Sequence, residues 1–326
     1  MRTLVTGATG FIGSHLVEAL LAQGDEVRCM AKDGNHLRWL EGQGGFTVVE
    51  GDLTDAATLQ SATAGVDCVY HLAALTRART VQDFFRVNTV GTKHLVTACL
   101  QGGGQPPELI YLSSLAALGP TTDASPLTEE ATPRPVSPYG WSKLRGEEEV
   151  LAARGRLHVT ILRPPVVYGP RDRYLWLFAR WIQRGLLPMP AGPDRVVTMC
   201  YVDDLVHAMI ASRGRRGASG EVYHVAGEEV LTWPDVGRVL GQAMGVRPRP
   251  LHVPLSLLLC LAAGLEVWGW AARRPIFLDR GKVREAFGHW VCDTTKAREQ
   301  LGFMPRVGPV EGIALTIEWY RSRGWI

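Results

Sequence analysis

The sequence predicts an α/β fold: a doubly wound parallel sheet followed by a smaller, mainly helical C-terminal region. Two observations favour this fold. Short β-branched apolar runs alternate with helical patterns along the first half of the chain, as expected for a parallel sheet with helices on both faces. A glycine-rich stretch joins the first run to the first helical pattern. In such folds the ligand lies beyond the carboxyl ends of the strands.

Composition narrows the classes of function. The chain has 326 residues, 46% of them hydrophobic, which is enough for one large or two intertwined domains. The net charge of +3 gives no reason to expect nucleic-acid binding, and we interpret the cluster Arg213, Arg215 and Arg216 as a solvated loop. Six dispersed cysteines without ligand spacing, and no signal peptide, predict a cytoplasmic protein without a structural metal.

The first predicted strand, residues 3–6, runs into the glycine loop, and a helical pattern follows it. Backbone amides and the positive end of a helix face an anion in this arrangement, and side chains at the glycines would block it. We therefore predict a nucleotide-binding loop. Its predicted cofactor-binding residues are Gly7, Thr9, Gly10, Phe11, Ile12 and Gly13.

The second strand, residues 26–30, ends just before Lys32. A carboxylate at this place binds the ribose 2′-hydroxyl of NAD, whereas a cation accommodates the 2′-phosphate of NADP. Lys32 therefore favours NADP over NAD. Asp33 follows directly and argues the other way, and a simply solvated lysine is the alternative interpretation.

Strands three and four, residues 46–49 and 68–70, end near the next candidate residues. Asp52 can reach the adenine amino group, and both Asp52 and Leu53, which follows it, are predicted cofactor-binding residues. His71 precedes small residues where a backbone passes close to a cofactor, and we interpret the histidine itself as structural. The cofactor-binding residues predicted after strand four are Leu72, Ala73 and Ala74.

A long helix over residues 81–100 carries Asn88, a further predicted cofactor-binding residue, and leads to a fifth strand, residues 109–112. This strand ends at Ser114. Its hydroxyl lies on the same sheet edge as the glycine loop and can orient a substrate oxygen. Ser114 is therefore the predicted orienting donor.

The next helix carries the predicted acid/base. If Ser137 caps it and Pro138 occupies its first turn, Tyr139 and Lys143 lie on one face. An ammonium group near the phenol favours the phenolate and lowers its pKa from about 10. Tyr139 is the predicted acid/base and Lys143 its support, and both are also predicted to contact the cofactor.

A sixth strand, residues 159–162, leads to Pro164 and Val166, where an extended backbone provides a wall for a nicotinamide ring. Beyond residue 170 the alternation ends. We predict a dinucleotide-binding domain over residues 1–170, with residues 196–226 returning to it and segments 196–212 and 221–226 rejoining the sheet. The substrate region is predicted at 171–195 and 227–326.

With these residues placed, the chain resembles the extended short-chain dehydrogenase/reductase (NAD-dependent epimerase/dehydratase) family over nearly its whole length. The resemblance implies a Rossmann sheet, a small-molecule substrate, a homodimer, structural aspartates at Asp203 and Asp204, and a catalytic Ser114, Tyr139 and Lys143. The motifs that carry it are Gly7-x-x-Gly10-x-x-Gly13, Asp52-Leu53, the serine five residues before Gly119, Tyr139-x-x-x-Lys143, Arg163-Pro164, Val167-Tyr168-Gly169-Pro170 and Tyr201-Val202-Asp203-Asp204.

Departures from the family patterns bear on the reaction. The dehydratases have Asp-Glu where this chain has Leu115-Ala116, and sugar-nucleotide epimerases have an asparagine where Val166 stands. The arginine and aromatic residue of the epimerases are missing from residues 198–200. The pattern is most similar to the 3β-hydroxysteroid dehydrogenase and dihydroflavonol reductase subgroup.

Residues 255–265 carry no charge, and Trp268 and Trp270 follow them before Arg273 and Arg274. The run is shorter than the roughly 20 residues that span a bilayer. One interpretation is a buried helix pair of the small domain. The other is an apolar lid or a peripheral membrane contact through residues 255–272, with the tryptophans and arginines at headgroup level.

Together these features predict an NAD(P)-dependent oxidoreductase that interconverts a secondary alcohol and a ketone on a small to medium apolar substrate. A nucleotide-sugar 4-epimerase with tightly bound NAD is the alternative. A non-catalytic dinucleotide-binding scaffold is a third hypothesis, which the intact Ser114, Tyr139 and Lys143 disfavour.

Overall fold

The computed structural model describes residues 1–32, 39–102, 104–276 and 278–326. Asp33 lies outside them. The strands within this part are β1 (Arg2–Thr6), β2 (Glu26–Ala31), β3 (Phe46–Glu50), β4 (Cys68–His71), β5 (Glu108–Leu112), β6 (Val159–Arg163), β7 (Val166–Tyr168), β8 (Leu186–Pro190), β9 (Val196–Tyr201), β10 (Glu221–His224), β11 (Val230–Thr232) and β12 (Arg249–Val253). The helices are α1 (Phe11–Ala22), α2 (Ala56–Thr63), α3 (Val81–Phe85), α4 (Gly91–Gln101), α5 (Pro138–Leu151), α6 (Arg173–Gln183), α7 (Val202–Ser212), α8 (Trp233–Met244), α9 (Leu255–Ala271), α10 (Arg280–Ala286), α11 (Thr295–Leu301) and α12 (Pro309–Ser322).

Seven strands form one parallel sheet in the order β10-β6-β5-β4-β1-β2-β3. Its central strands are buried along their whole length, because helices cover both faces. Helices α1, α7 and α11 pack on one face. Helices α2, α4 and α5 pack on the other. The predicted doubly wound Rossmann sheet is confirmed.

The segment 196–212 does not rejoin this sheet as predicted. Strand β9 pairs instead with β7 and β11 in a separate three-stranded sheet, and α7 then packs back beside α1. The short run of apolar residues gives the strand correctly, but its partner depends on the extended segment after β6. Strand β10 does take its predicted place at the edge of the large sheet, and β8 pairs with β12 elsewhere.

The predicted helix over residues 81–100 is continuous in the structure, but it is not a regular α-helix. A π-helical turn, Arg86–Val90, joins α3 to α4. Such wide turns redirect side chains inside a helix and occur often at functional sites. Here the turn carries Asn88, which is 1% exposed.

Two surface segments differ from their predicted surroundings. Arg213 is not solvated, since its guanidinium forms an ion pair with the buried carboxylate of Asp25. Helix α9 is not part of a buried helix pair: only Ala262 and Gly269 are buried along its 17 residues. Of the helices in the described residues, none is both long and apolar enough to cross a membrane.

Candidate active site

The loops that follow four parallel strands meet at one edge of the large sheet. Thr6 at the end of β1 stands beside His71 at the end of β4, and His71 stands beside Tyr111 of β5. The backbone amide of Leu115 then donates to the carbonyl of Pro164 beyond β6, at 2.9 Å. The candidate residues predicted on separate strands are therefore brought together.

The glycine loop is shaped by close backbone contacts. Gly7 has φ +73°, and a Cβ there would lie 2.8 Å from the amide nitrogen of Ala73. A Cβ at Gly13 would lie 2.1 Å from the carbonyl oxygen of Gly7. Both contacts exclude any side chain, so these two glycines let α1 begin directly against β1.

The start of α1 is suited to an anion. Gly10 caps the helix without a side chain, and the first turn holds no acidic residue. The helix dipole and the first N–H groups therefore face the loop without a carboxylate to satisfy them. Thr9, Phe11 and Ile12 are half-buried around this turn. These residues fit the diphosphate of a dinucleotide cofactor.

Lys32 and Asp52 form an ion pair of 2.7 Å at the ends of β2 and β3. Lys32 is 72% exposed, so its ammonium remains accessible. Burial acts to raise the pKa of Asp52, but hydrogen bonds from Lys32 and from the amide of Thr54 outweigh it and lower the pKa. Leu53, the next residue, is buried beneath Gly91.

The loop after β4 is tied to β1. The amides of Leu72 and Ala73 donate to the carbonyl and the hydroxyl of Thr6, and Ala74 is half-buried beside them. Both ring nitrogens of His71 are engaged, with the hydroxyls of Thr6 at 2.8 Å and Thr92 at 2.9 Å. Burial, helped by the charge of a nearby lysine, lowers the pKa of His71 to about 3. This neutral, fully buried ring has the structural role that we predicted.

Asn88 lies behind this loop. Its Oδ1 accepts from the amide of Leu75, and its Nδ2 donates to the carbonyl of Leu75 and to Ser142 Oγ. The amide thereby joins the loop after β4 to helix α5. The structure therefore places Asn88 behind the loop after β4, which it holds through these bonds.

Helix α5 begins as its sequence indicates. Ser137 Oγ accepts from the amide of Gly140, and Pro138 stands in the first turn. The helix is held to the sheet further along by Glu147, whose carboxylate binds Arg163 of β6 at 2.8 and 2.6 Å. Ser113 donates to the same carboxylate. Both charged residues are buried.

Lys143 lies one turn after Tyr139. Its ammonium donates to the carbonyl of Leu112 at 2.8 Å and stands 4.1 Å from the ring centre of Tyr111. Burial lowers the pKa of Lys143 to about 7, although the charge of Glu147 acts in the opposite direction. The lysine is thus poised between its charged and neutral forms near neutral pH.

The electrostatics of Tyr139 differ from our prediction. Burial raises the pKa of its hydroxyl, while Lys282 and a hydrogen bond with Ser114 act to lower it. The predicted lowering by Lys143 is wrong in this structure, because that ammonium turns toward the end of β5. Ser114 is in the predicted place beside Tyr139, and its Oγ accepts from the amide of Ala116.

Lys282 of α10 is the charged residue that the sequence did not reveal. Its Nζ lies 4.7 Å from the ring centre of Tyr139 and 2.9 Å from the carboxylate of Glu285. Glu285 in turn accepts from the Oγ of Ser137, the cap of α5. Burial acts to lower the pKa of Lys282, but Glu285 and Tyr139 outweigh it and raise the pKa, so the lysine is charged. No local pattern links two segments so distant in the chain.

Pro164 is buried and Val166 is half-buried where the wall was predicted. Val166 lies in β7, beside Met199 of β9. An apolar side chain therefore stands where epimerases of the resembled family have an asparagine.

Comparison with known proteins agrees with this geometry. The model of the NAD dependent epimerase/dehydratase family matches residues 3–226. The chain belongs to this family. The ceramide reductase of Caulobacter vibrioides is 32% identical over 326 residues, covering 99% of this chain and 95% of the relative. Sterol demethylase protein B of Methylococcus capsulatus is 32% identical over 349 residues and is covered completely, as is this chain.

Members of known structure show the same fold. The structure of MoeE5 in complex with UDP-glucose and NAD superimposes with a TM-score of 0.79 at 27% identity, covering 99% of both chains. The chain is therefore an extended short-chain dehydrogenase/reductase, an oxidoreductase of the NAD dependent epimerase/dehydratase family.

Proposed function

We propose that this family member interconverts a secondary alcohol and a ketone on an apolar, lipid-like substrate. The observation that carries the proposal is the pairing of Ser114 with Tyr139, with Lys143 one turn further along the same helix and Lys282 of α10 over the tyrosine ring. This set can hold a substrate oxygen and move one proton to or from it.

The roles follow from the hydrogen bonds. Ser114 Oγ accepts from the amide of Ala116, and its proton, which here bonds Tyr139, can be donated to the oxygen of a bound substrate instead. In reduction Tyr139 gives its hydroxyl proton to that oxygen, and in oxidation the phenolate takes it back. The positive charge of Lys282 lowers the cost of the phenolate. A bound nicotinamide cofactor supplies or accepts the hydride.

An apolar substrate is supported by the side chains around Tyr139. The ring of Phe84 lies 6.2 Å from that of Tyr139, and Val166 offers no polar group. Leu115-Ala116 stands where the dehydratases keep two acidic residues, which disfavours water elimination. The names of two relatives, a ceramide reductase and a sterol demethylase protein, are those of enzymes of membrane lipids.

For the cofactor we propose that NADP is preferred over NAD. The proposal is supported by the exposed ammonium of Lys32 just after β2, since a cation near this strand end accommodates a 2′-phosphate in this fold. Asp52 competes for that ammonium, so the preference is set by the balance between the carboxylate and the phosphate.

A nucleotide-sugar 4-epimerase is the second candidate, favoured by the fold shared with MoeE5 bound to UDP-glucose and NAD. The two candidates differ in the fate of the cofactor. An epimerase returns the hydride to the same substrate and shows no net change in reduced cofactor.

The test is a screen of long-chain keto-amides and sterol ketones with NADPH and NADH carrying deuterium at C4, and of UDP-glucose with NAD⁺. We expect deuterium in the alcohol product of an apolar ketone, and a fall of roughly 10² to 10⁴ in rate for Tyr139→Phe. Conversion of UDP-glucose to UDP-galactose without net cofactor turnover would replace this proposal by the epimerase.

A further inference from the structure

Helix α9 exposes an apolar surface that the catalytic groups do not use. Exposed fractions reach 59% at Leu257, 68% at Val267, 54% at Trp268 and 73% at Trp270. Isolated apolar side chains are common on protein surfaces, but a contiguous set on one helix marks an interaction site. We call the exposed side of residues 255–274 the α9 surface.

The charge next to the α9 surface is positive. Glu266 is the one acidic residue of the helix, and Arg280 pairs with it. The backbone amide of Arg280 donates to the Glu266 carboxylate at 2.9 Å, and its Nε donates at 2.8 Å. Arg273 and Arg274 follow the helix and are both exposed. The C-terminal end of α9 thus combines two tryptophans with two arginines, the residues that favour the headgroup region of a bilayer.

Helix α9 is too short to cross a membrane. Its 17 residues extend about 25 Å at the usual helical rise, which is less than the roughly 30 Å of a hydrocarbon core. The helix therefore cannot span the core, and the tryptophans and arginines at its C-terminal end suit it to contact the headgroup layer. The turn after it is firm, because Gly269 packs against Ile276 and accepts from the amide of Arg274.

The α9 surface adjoins two elements that pack on Tyr139, the central residue of the candidate active site. Trp270 and Arg273 line a cavity of about 440 Å³ together with Thr80, the residue that caps α3. Helix α3 carries Phe84, whose ring contacts Tyr139. Arg280, which forms the ion pair with Glu266 of α9, is the first residue of α10. Helix α10 also carries Lys282, whose ammonium lies over the ring of Tyr139.

We propose that the α9 surface docks on the headgroup layer of a membrane containing anionic lipids and draws its substrate from that layer. The second part rests on the proposed function, whereas docking does not. The test therefore measures binding, so docking and turnover can fail separately.

The experiment uses the full chain labelled with a polarity-sensitive fluorophore at Cys260, the exposed cysteine of α9; the other five are buried. Vesicles of phosphatidylcholine with phosphatidylglycerol should shift the emission to the blue and carry the unlabelled chain in flotation. We expect Trp268→Ser/Trp270→Ser to weaken binding roughly tenfold or more. Arg273→Ser/Arg274→Ser should weaken binding to the anionic vesicles by roughly fivefold per charge removed. Binding to vesicles of pure phosphatidylcholine should not change.

The matched control is Trp181→Ser on α6, which removes a tryptophan that is 40% exposed. It should bind vesicles as the wild type does, and all variants should keep the wild-type melting temperature. Absence of binding to both kinds of vesicle would overturn the proposal. So would sedimentation showing a dimer that the α9 variants dissociate, since a second copy of the chain would then cover the surface.

Discussion

Lys143 lies on α5 and Lys282 on α10, and their surroundings shift the pKa values of the two ammonium groups in opposite directions. Lys143 is bound to the carbonyl of Leu112 and has a pKa lowered to about 7 by burial. Lys282 is held charged by Glu285 and lies over the ring of Tyr139. In this structure burial raises the pKa of Tyr139, and the charge of Lys282 acts against that rise.

We expect Lys282→Met to raise the pKa of Tyr139 and shift the pH profile of alcohol oxidation to higher pH, with kcat at pH 7 lower by roughly tenfold. The sign follows because oxidation needs the phenolate, and removing a positive charge disfavours it. Lys282→Arg should restore the profile. Arg284→Met, on the exposed side of the same helix, is the control. An unshifted profile in Lys282→Met would assign the lysine a purely structural role.

Lys32 allows a separate test of cofactor choice. Lys32→Asp places a carboxylate where the 2′-phosphate is expected. We predict that the ratio of kcat/KM for NADPH to that for NADH falls at least tenfold, which corresponds to about 1.4 kcal/mol. Lys32→Met separates loss of the cation from gain of repulsion and should show a smaller change. A wild-type enzyme that already prefers NADH tenfold would contradict the role given to Lys32.

At the scale of elements, a buried ion pair between Glu147 and Arg163 holds helix α5 against the sheet. Glu147 and Arg163 are 2% and 6% exposed, and their two hydrogen bonds connect the helix of Tyr139 to strand β6. Breaking such a pair leaves one buried charge uncompensated, which costs far more than the pair itself contributes.

We predict that Arg163→Met lowers the free energy of unfolding by about 3–5 kcal/mol, measured by urea denaturation. The double variant Glu147→Leu/Arg163→Met should recover most of the loss. Arg145→Met is the control on the same helix: its pair with Glu148 is about half exposed on each side and should contribute about 0–1 kcal/mol. Equal losses in the single and double variants would show that packing, not charge, holds α5.

At the scale of the whole molecule, two buried histidines couple stability to pH. Burial lowers the pKa of His71 to about 3, and burial with the charge of Arg163 lowers that of His224 to about 4. Both are neutral in the folded chain but become protonated in the unfolded chain below about pH 6.5. The unfolded state then binds more protons, so stability is present above pH 6.5 and is lost as the pH falls.

We predict a falling melting temperature between pH 6.5 and 5, with up to roughly 1.4 kcal/mol lost per pH unit for each histidine. Asp172 acts in the opposite direction, because burial raises its pKa to about 6. Comparing variants with the wild type removes its contribution. His71→Gln and His224→Gln should each flatten the pH dependence, and His252→Gln, on the exposed strand β12, should not. Parallel pH curves for all four proteins would refute the coupling.

The features that the sequence determined by itself are local. The strand, glycine loop and helix at the N-terminus, the cap of α5 by Ser137, and the alternation of strands and helices all depend on residues a few positions apart. The backbone geometry of such short segments is restricted by the residues themselves: Gly7 takes a left-handed conformation, and Pro138 suits a first helical turn.

Only the tertiary structure decided which distant elements meet. Lys282 and Tyr139, Glu147 and Arg163, and β9 with β7 are contacts between separate elements. The sequence of an apolar helix such as α9 does not show whether the helix is buried or exposed, because hydrophobicity does not specify which element packs against it. Tyr139 was recognisable from its own helix, but its proton affinity is set by groups that packing brings to it, since burial and charge act through space and not along the chain.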